Sequence, residues 1–355
     1  MMTRKEFLEQ VMKMANLKDL KQADEATQAV ISLTKLIIGP KLSQKIAKAS
    51  PPDLREGWEA IKPVYPKRTI KVMTGPGGED LDIREMTPSL QKYLGVEIAV
   101  ENIVGFWGKI PFEKFQEMEP DGYTFICYTF PRSIIIEQTG ETRFKSKEFT
   151  PVFAWSLGHQ FLVVPSESFQ TFDAFLREAK HRTLMAAVPI KGGINHLLGL
   201  LLAEGLGIQV KWISYGGLAP SISALTRREV DFTISLGAAL ASPVKAGRVK
   251  MLAMIPEKSG RRSFYFQQVP TLKELGYEIP TIMTRHVLEA PPGTPPHIVT
   301  VLEEAIRETI RKPSYLEWAR KNFVSIDPID AQSLAREKEE AYSLIERVKE
   351  KLKEE

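Results

Sequence analysis

A single cysteine, Cys127, occurs in the 355 residues. That scarcity excludes an intrachain disulfide and a thiolate metal cluster. Its setting, YTFICYTF, is that of a small buried residue rather than a nucleophile. Long apolar runs are also missing. The most apolar stretch, AVISLTKLIIG, is short and broken by Lys35, so it cannot span a bilayer. The first residues, MMTRKEFLEQVMKMANLKDL, are charged throughout and contain no apolar signal core. As written, the sequence reads as cytoplasmic; an export signal in a longer precursor would make it periplasmic. The net charge is only +4, and no basic block is interleaved with aromatics, which argues against a nucleic-acid partner. Catalytic signatures are absent as well. None of His159, His181, His196, His286 and His297 lies in an H-E-x-x-H or H-x-E context, and no G-x-S-x-G elbow occurs. Without a nucleophile–base pair or a metal set, the expectation is a protein that is not an enzyme and uses no cofactor.

What is present falls into two regimes. Residues 3–62 carry apolar residues at helical spacing, first Phe7, Leu8, Val11 and Met12, then Ala26, Val30, Leu33 and Ile37. Asp24 is the expected cap of the second helix, Gly39-Pro40 its stop, and Ser50 the cap of a last helix in SPPDLREGW. The stripes predict helices packed on one another, with a partner surface as the alternative. From Arg68 onward strands alternate with helices: TIKVMT, EIAVEN, TFICYT, HQFLVV, LMAAV, VKWISY, DFTIS and VKMLAMI. That order predicts α/β architecture with largely parallel sheets, whose ligands sit outside the strand C-termini. The stretch is too long for one small sheet, so two lobes are expected. Residues 295–353 return to helix, ending in EKEEAYSLIERVKEKLKEE, read as a solvated face and a fraying terminus.

Four strand-to-helix junctions carry paired or near-paired glycines: GPGGED, VENIVGFWG, AAVPIKGGINHLLG and ISYGGLAP. The first lacks the Lys-Ser/Thr of a phosphate loop and the G-x-G-x-x-G of a dinucleotide site. Asp80 and Asp82 at its helix start would also oppose a phosphate. A plain tight turn and a close approach to a small ligand both remain. Repeated at four junctions, the pattern suggests a cleft lined by backbone N–H donors and suited to an anion. His196, after KGGIN, could touch a ligand or bond the loop's backbone, and Arg285 could pair with a carboxylate or with an ordinary salt-bridge partner.

The collinear set RTIKVMTGPGGED, IAVEN, PDGYTF, FTPV, GGINHLLG, ISYGGLAP, EVDFTIS, VKAGRVKMLAM, QVPTLKELGY and APPGTPPHIV resembles the solute-binding receptors of tripartite tricarboxylate transporters, the Bug-type family, from about residue 66 onward. The resemblance implies an α/β, two-lobed, periplasmic-binding-protein-like fold of the type II flytrap kind. An extra N-terminal all-α domain, 1–62, would precede lobe 1 (66–158 plus 288–355) and lobe 2 (159–287). It implies a small carboxylate held by loop backbone groups, no chemistry, and membrane transporter subunits as partners. Carried over, the first-lobe loop is Gly77, Gly78, Glu79 and Asp80, with Thr129 and Phe130 beyond the third strand. The second-lobe loop is Lys191, Gly192, Gly193, Asn195 and His196, and the tyrosine–glycine turn is Tyr215, Gly216 and Gly217.

This chain departs from the family pattern in several places. Pro76 is out of register, bulky Phe106 and Trp107 follow VEN, and VPIKGG replaces a serine-rich loop and brings in Lys191. Ser235 stands where the family has an Asp, and Arg285-His286-Val287 stands where it has aromatic-x-Gly. Two added cations suit a ligand of higher negative charge or an altered site. Residues 3–62 resemble a small helical bacterial domain family of unknown function, usually cytoplasmic. They stand where receptors normally carry a signal peptide, so an intracellular sensor with a protein partner is one expectation. The alternative is an adaptor whose lobes no longer bind solute and whose helical domain recruits a partner.

Overall fold

The computed structural model describes residues 3–354 other than 62, 64, 76, 77, 104, 106, 107, 256–259 and 261, and the side chains at 40, 41, 53 and 354 are likewise left aside. Gly77, Pro76, Phe106 and Trp107, singled out above, lie outside the described residues.

Eleven strands follow in chain order among the described residues: β1 (Ile70–Thr74), β2 (Ile98–Asn102), β3 (Thr124–Phe130), β4 (Thr150–Leu157), β5 (Gln160–Pro165), β6 (Leu184–Val188), β7 (Val210–Ser214), β8 (Phe232–Leu236), β9 (Val249–Met254), β10 (Arg285–Ala290) and β11 (Ser325–Asp330). They form two sheets, ordered β11-β4-β10-β3-β1-β2 and β7-β6-β8-β5-β9. Each sheet contains three parallel strands joined by crossover helices. Beside them runs, antiparallel, a strand that arrives from the other sheet, β10 beside β3 and β5 beside β8, and β4, β11 and β9 extend the sheets beyond it. The sheets are therefore mixed rather than largely parallel, because a chain that crosses between them enters from the opposite end. β4 and β11 escaped the strand reading; β11, which carries Pro328, sits at the sheet edge, where a missing N–H is tolerated.

The two crossings lie side by side. Gly158 donates its N–H to Thr284 O at 2.7 Å, and Thr284 Oγ1 donates back to Gly158 O at 2.7 Å. A Cβ at Gly158 would stand 2.5 Å from Thr284 Oγ1, so only glycine lets the strands approach this closely.

The last helix, Ala331–Glu354, corrects a second expectation. It buries Leu334, Ala341, Ile345, Val348 and Leu352 along one stripe, within a core cluster that also holds Tyr128 of the first sheet and Val188 of the second. At roughly 1.5–3 kcal/mol for each large buried apolar side chain, this stripe is a structural strap and not a fraying end.

At the N-terminus, helices Arg4–Met14, Leu20–Ala49 and Pro52–Ala60 form the all-α unit, and Gly39 breaks the second with φ 72°. The caps differ from expectation. Asp19 caps the second helix, while Asp24 pairs with Arg4 at 2.8 Å. Ser50 closes that helix through Ile46 O instead of opening the next. Lys35, although nearly buried, is satisfied by donating to Ile61 O at 2.6 Å. Leu36 packs into the first sheet's core against the Pro296–Ile310 helix, whereas Val30, Leu33 and Ile37 remain exposed.

Candidate ligand-binding cleft

A cavity of about 290 Å³ opens at the paired crossings, lined from both sheets by Gly78, Thr129, His286, Leu236, Phe161 and Phe266, among others. Its first-sheet wall is set by the Gly78–Leu94 helix. The buried residues of that helix are Glu79, Asp82, Ile83, Met86 and Leu90, one face at helical spacing, so two acids share the face that packs on the sheet. Asp82 has no exposure. Its Oδ2 accepts from Trp155 Nε1 at 2.7 Å and is bonded to His286 Nδ1 at 2.8 Å, and its Oδ1 accepts from the Tyr315 hydroxyl. A buried carboxylate with three partners is a stable hub.

His286 is placed by that hub. Its N–H donates to Ser156 Oγ at 3.0 Å, and its side chain keeps 16% exposure, on the cavity side. A Cβ added at Gly78 would lie 3.4 Å from its Nε2, so the imidazole sits directly beside the helix start. Burial opposes a charged ring, but the hydrogen bond and charge of Asp82, with Glu79 nearby, outweigh it and hold the imidazole above its usual value.

The expected site residues divide. Glu79 is buried against Arg132 at 2.9 Å and accepts from Thr129 Oγ1 at 3.0 Å; burial disfavours its charge, but Arg132 and His286 more than offset this and keep it ionised. Asp80 is held by Arg84 at 2.8 Å, and Phe130 is buried in the core. Lys191, Gly192 and Gly193 do not reach the first cavity. They line a separate groove with Arg132, Thr139 and Gly140. The amides of that loop are turned inward: Gly192 donates to His196 Nδ1 at 3.0 Å and Gly193 to Ile190 O at 3.1 Å. His196 is fully buried, edge-on to Trp212, and burial, then Lys191, push its pKa down to about 4. Asn195 donates to Ile234 O at 2.9 Å. Tyr215 interacts with Glu229, Gly216 and Gly217 lead into the next helix, and Ser235 is buried on β8.

Arg285 corrects the reading that two added cations face the ligand. Its guanidinium forms a bidentate pair with Glu337 at 2.8 and 3.1 Å and reaches Asp327 at 2.9 Å, at 5% exposure. It ties β10 to β11 and the last helix. Both Arg285 and His286 line the cavity, but the Arg285 guanidinium is committed to these acids, so His286 is the one of the two left to meet a ligand.

A family model described as the tripartite tricarboxylate transporter family receptor matches residues 83–353. The chain belongs to that receptor family. It is 31% identical over 265 residues to the UPF0065 protein in the gbd 5' region of Cupriavidus necator, covering 72% of this chain and 79% of the relative. Among solved structures it is similar to R. palustris Rpa4515 with adipate, with a TM-score of 0.69 at 23% identity over 81% of this chain and 98% of that one. It is also similar to MatC from Rhodopseudomonas palustris with bound malate, with a TM-score of 0.66 at 22% identity over 80% and 100%. These likenesses speak to the receptor fold. Among the described residues of this receptor, no helix is long and apolar enough to cross a membrane, and no group of three or more His, Cys, Asp or Glu could hold a metal ion.

Proposed function

We propose that this receptor binds a small organic carboxylate, without chemistry, in the cavity between its two sheets. The observation that carries the reading is the position of that cavity at the paired crossings, with polar Thr129 and the helix start at Gly78 on one side and Leu236 and Gly237 on the other. A helix start offers unpaired N–H groups and a favourable dipole to an anion. The lobes would be 66–158 plus 288–355 and 159–287, closing about Gly158 and Thr284, with 1–62 as an added unit. Malate in MatC and adipate in Rpa4515 support this class of ligand. On this reading the onward partner is the membrane part of a tripartite transporter.

Thermal-shift screening with mono-, di- and tricarboxylates tests it. An acid that binds the native state raises the melting temperature when in excess over its Kd. No shift with any acid at millimolar concentration would overturn the reading.

A further inference from the structure

We propose that His286 is the group that captures the carboxylate, with Asp82 as its positioning residue, so that ligand capture is linked to proton uptake. This rests on the carboxylate reading above and names the residue and the regulation of that same site. The geometry restricts the imidazole to two states. Nδ1 is fixed on Asp82 at 2.8 Å, and among the described residues no partner meets Nε2, which lies by Gly78 at the cavity. A neutral ring bonded through Nδ1–H presents an Nε2 lone pair, which repels a carboxylate. A protonated ring presents an N–H donor and a positive charge. One proton therefore reverses the sign of the cavity wall.

The other groups around the ring leave this role to His286. The Gly78–Leu94 helix contributes Asp82 and Glu79, both anionic partners of nearby donors. From the β3 side come Arg132, paired with Glu79, and Cys127, a thiol kept neutral by burial and the nearby carboxylates. β4 supplies no charged group, only the indole of Trp155 and the hydroxyl of Ser156, and the Pro313–Lys321 helix supplies Tyr315, whose phenol burial and Asp82 hold neutral. On its own strand, Arg285 is committed to Glu337 and Asp327. Across the cavity, burial keeps His159 low and neutral despite Asp327. Carboxylates outnumber free cations here, which favours a charged imidazole, and a ligand's own negative charge favours it further.

Benzoate and adipate titrated calorimetrically into the full chain, from about pH 6 to about pH 9, provide the test, since both acids stay ionised throughout. Affinity should fall about tenfold per pH unit above the imidazole midpoint, with proton uptake on binding. H286Q, neutral at every pH, should bind weakly and without that slope. D82N should keep binding at low pH but move the midpoint down, an effect that loss of packing alone would not produce. If D82N does not fold, the wild-type slope and H286Q still decide. Equal affinity across the range, or an H286Q profile matching the wild type, would overturn the role of His286 and leave the carboxylate reading standing. Failure of both acids at every pH would instead overturn the carboxylate reading, and this inference with it.

Discussion

His286 and His196 each stand next to the glycine loop of one sheet, yet burial leaves them in opposite states. At the first loop a buried carboxylate is bonded to the ring, and charge wins over desolvation. At the second, the ring accepts from Gly192, stacks edge-on to Trp212 and has Lys191 as its charged neighbour, so desolvation wins and it stays neutral. The same residue type thus serves as a cavity wall in one corner and as loop scaffolding in the other. Burial alone does not set the charge of a histidine; the sign of the nearest partner does.

The sharpest way to break the comparison is to remove that partner. Asp82→Ala leaves His286, Trp155 Nε1 and the Tyr315 hydroxyl without their shared acceptor. Urea denaturation near neutral pH should show a loss of about 3–5 kcal/mol, the range for stripping one side from a buried charged pair. A loss under about 1 kcal/mol would mean that the hub is not the organiser of the first corner.

Acid should expose the second corner. His196 has a folded pKa of about 4, below the usual unfolded value of about 6.5. Between those values the unfolded chain binds a proton that the folded chain refuses, so stability is lost as pH falls through that window, by up to roughly 3 kcal/mol. His286 has the opposite sign. Its raised pKa gives stability that is complete below about 6.5 and is lost as pH rises through the folded value. A His196→Gln variant should flatten only the acid limb of the stability–pH curve, and H286Q only the alkaline limb.

Much of this was legible in the sequence. The strand–helix alternation and the ordered motifs located most strands of both sheets and the glycine loops, but not every helix boundary: Asp19 rather than Asp24 caps the second helix. The partner relations were not legible, for reasons visible in particular residues. Asp82 reads as a solvated helix-start acid until one notes that it falls on the same stripe as Ile83, Met86 and Leu90. Arg285 reads as a ligand cation because its partners, Asp327 and Glu337, lie 42 and 52 residues away. The last helix reads as solvated because its charges are frequent, although its apolar positions recur at helical spacing.

Smaller effects sharpen the contrast. Gly192 holds φ 73°, so Gly192→Val should strain the loop and cost about 1–3 kcal/mol in denaturant unfolding. Because its amide is bonded to His196, the loss should come with a rise in the apparent pKa of that ring. Lys351 pairs with Glu204 at 2.8 Å, but both side chains are about half exposed. Lys351→Ala should therefore change stability by less than about 1 kcal/mol, in contrast to the apolar positions of the same helix.

The most direct measurement is a titration of the imidazole resonances by NMR, with His286 and His196 assigned by substitution. His286 should titrate above the ordinary histidine value, and His196 should stay neutral until about pH 4. Two rings that both titrate near about 6.5 would contradict the opposed charge states on which the cleft's asymmetry depends.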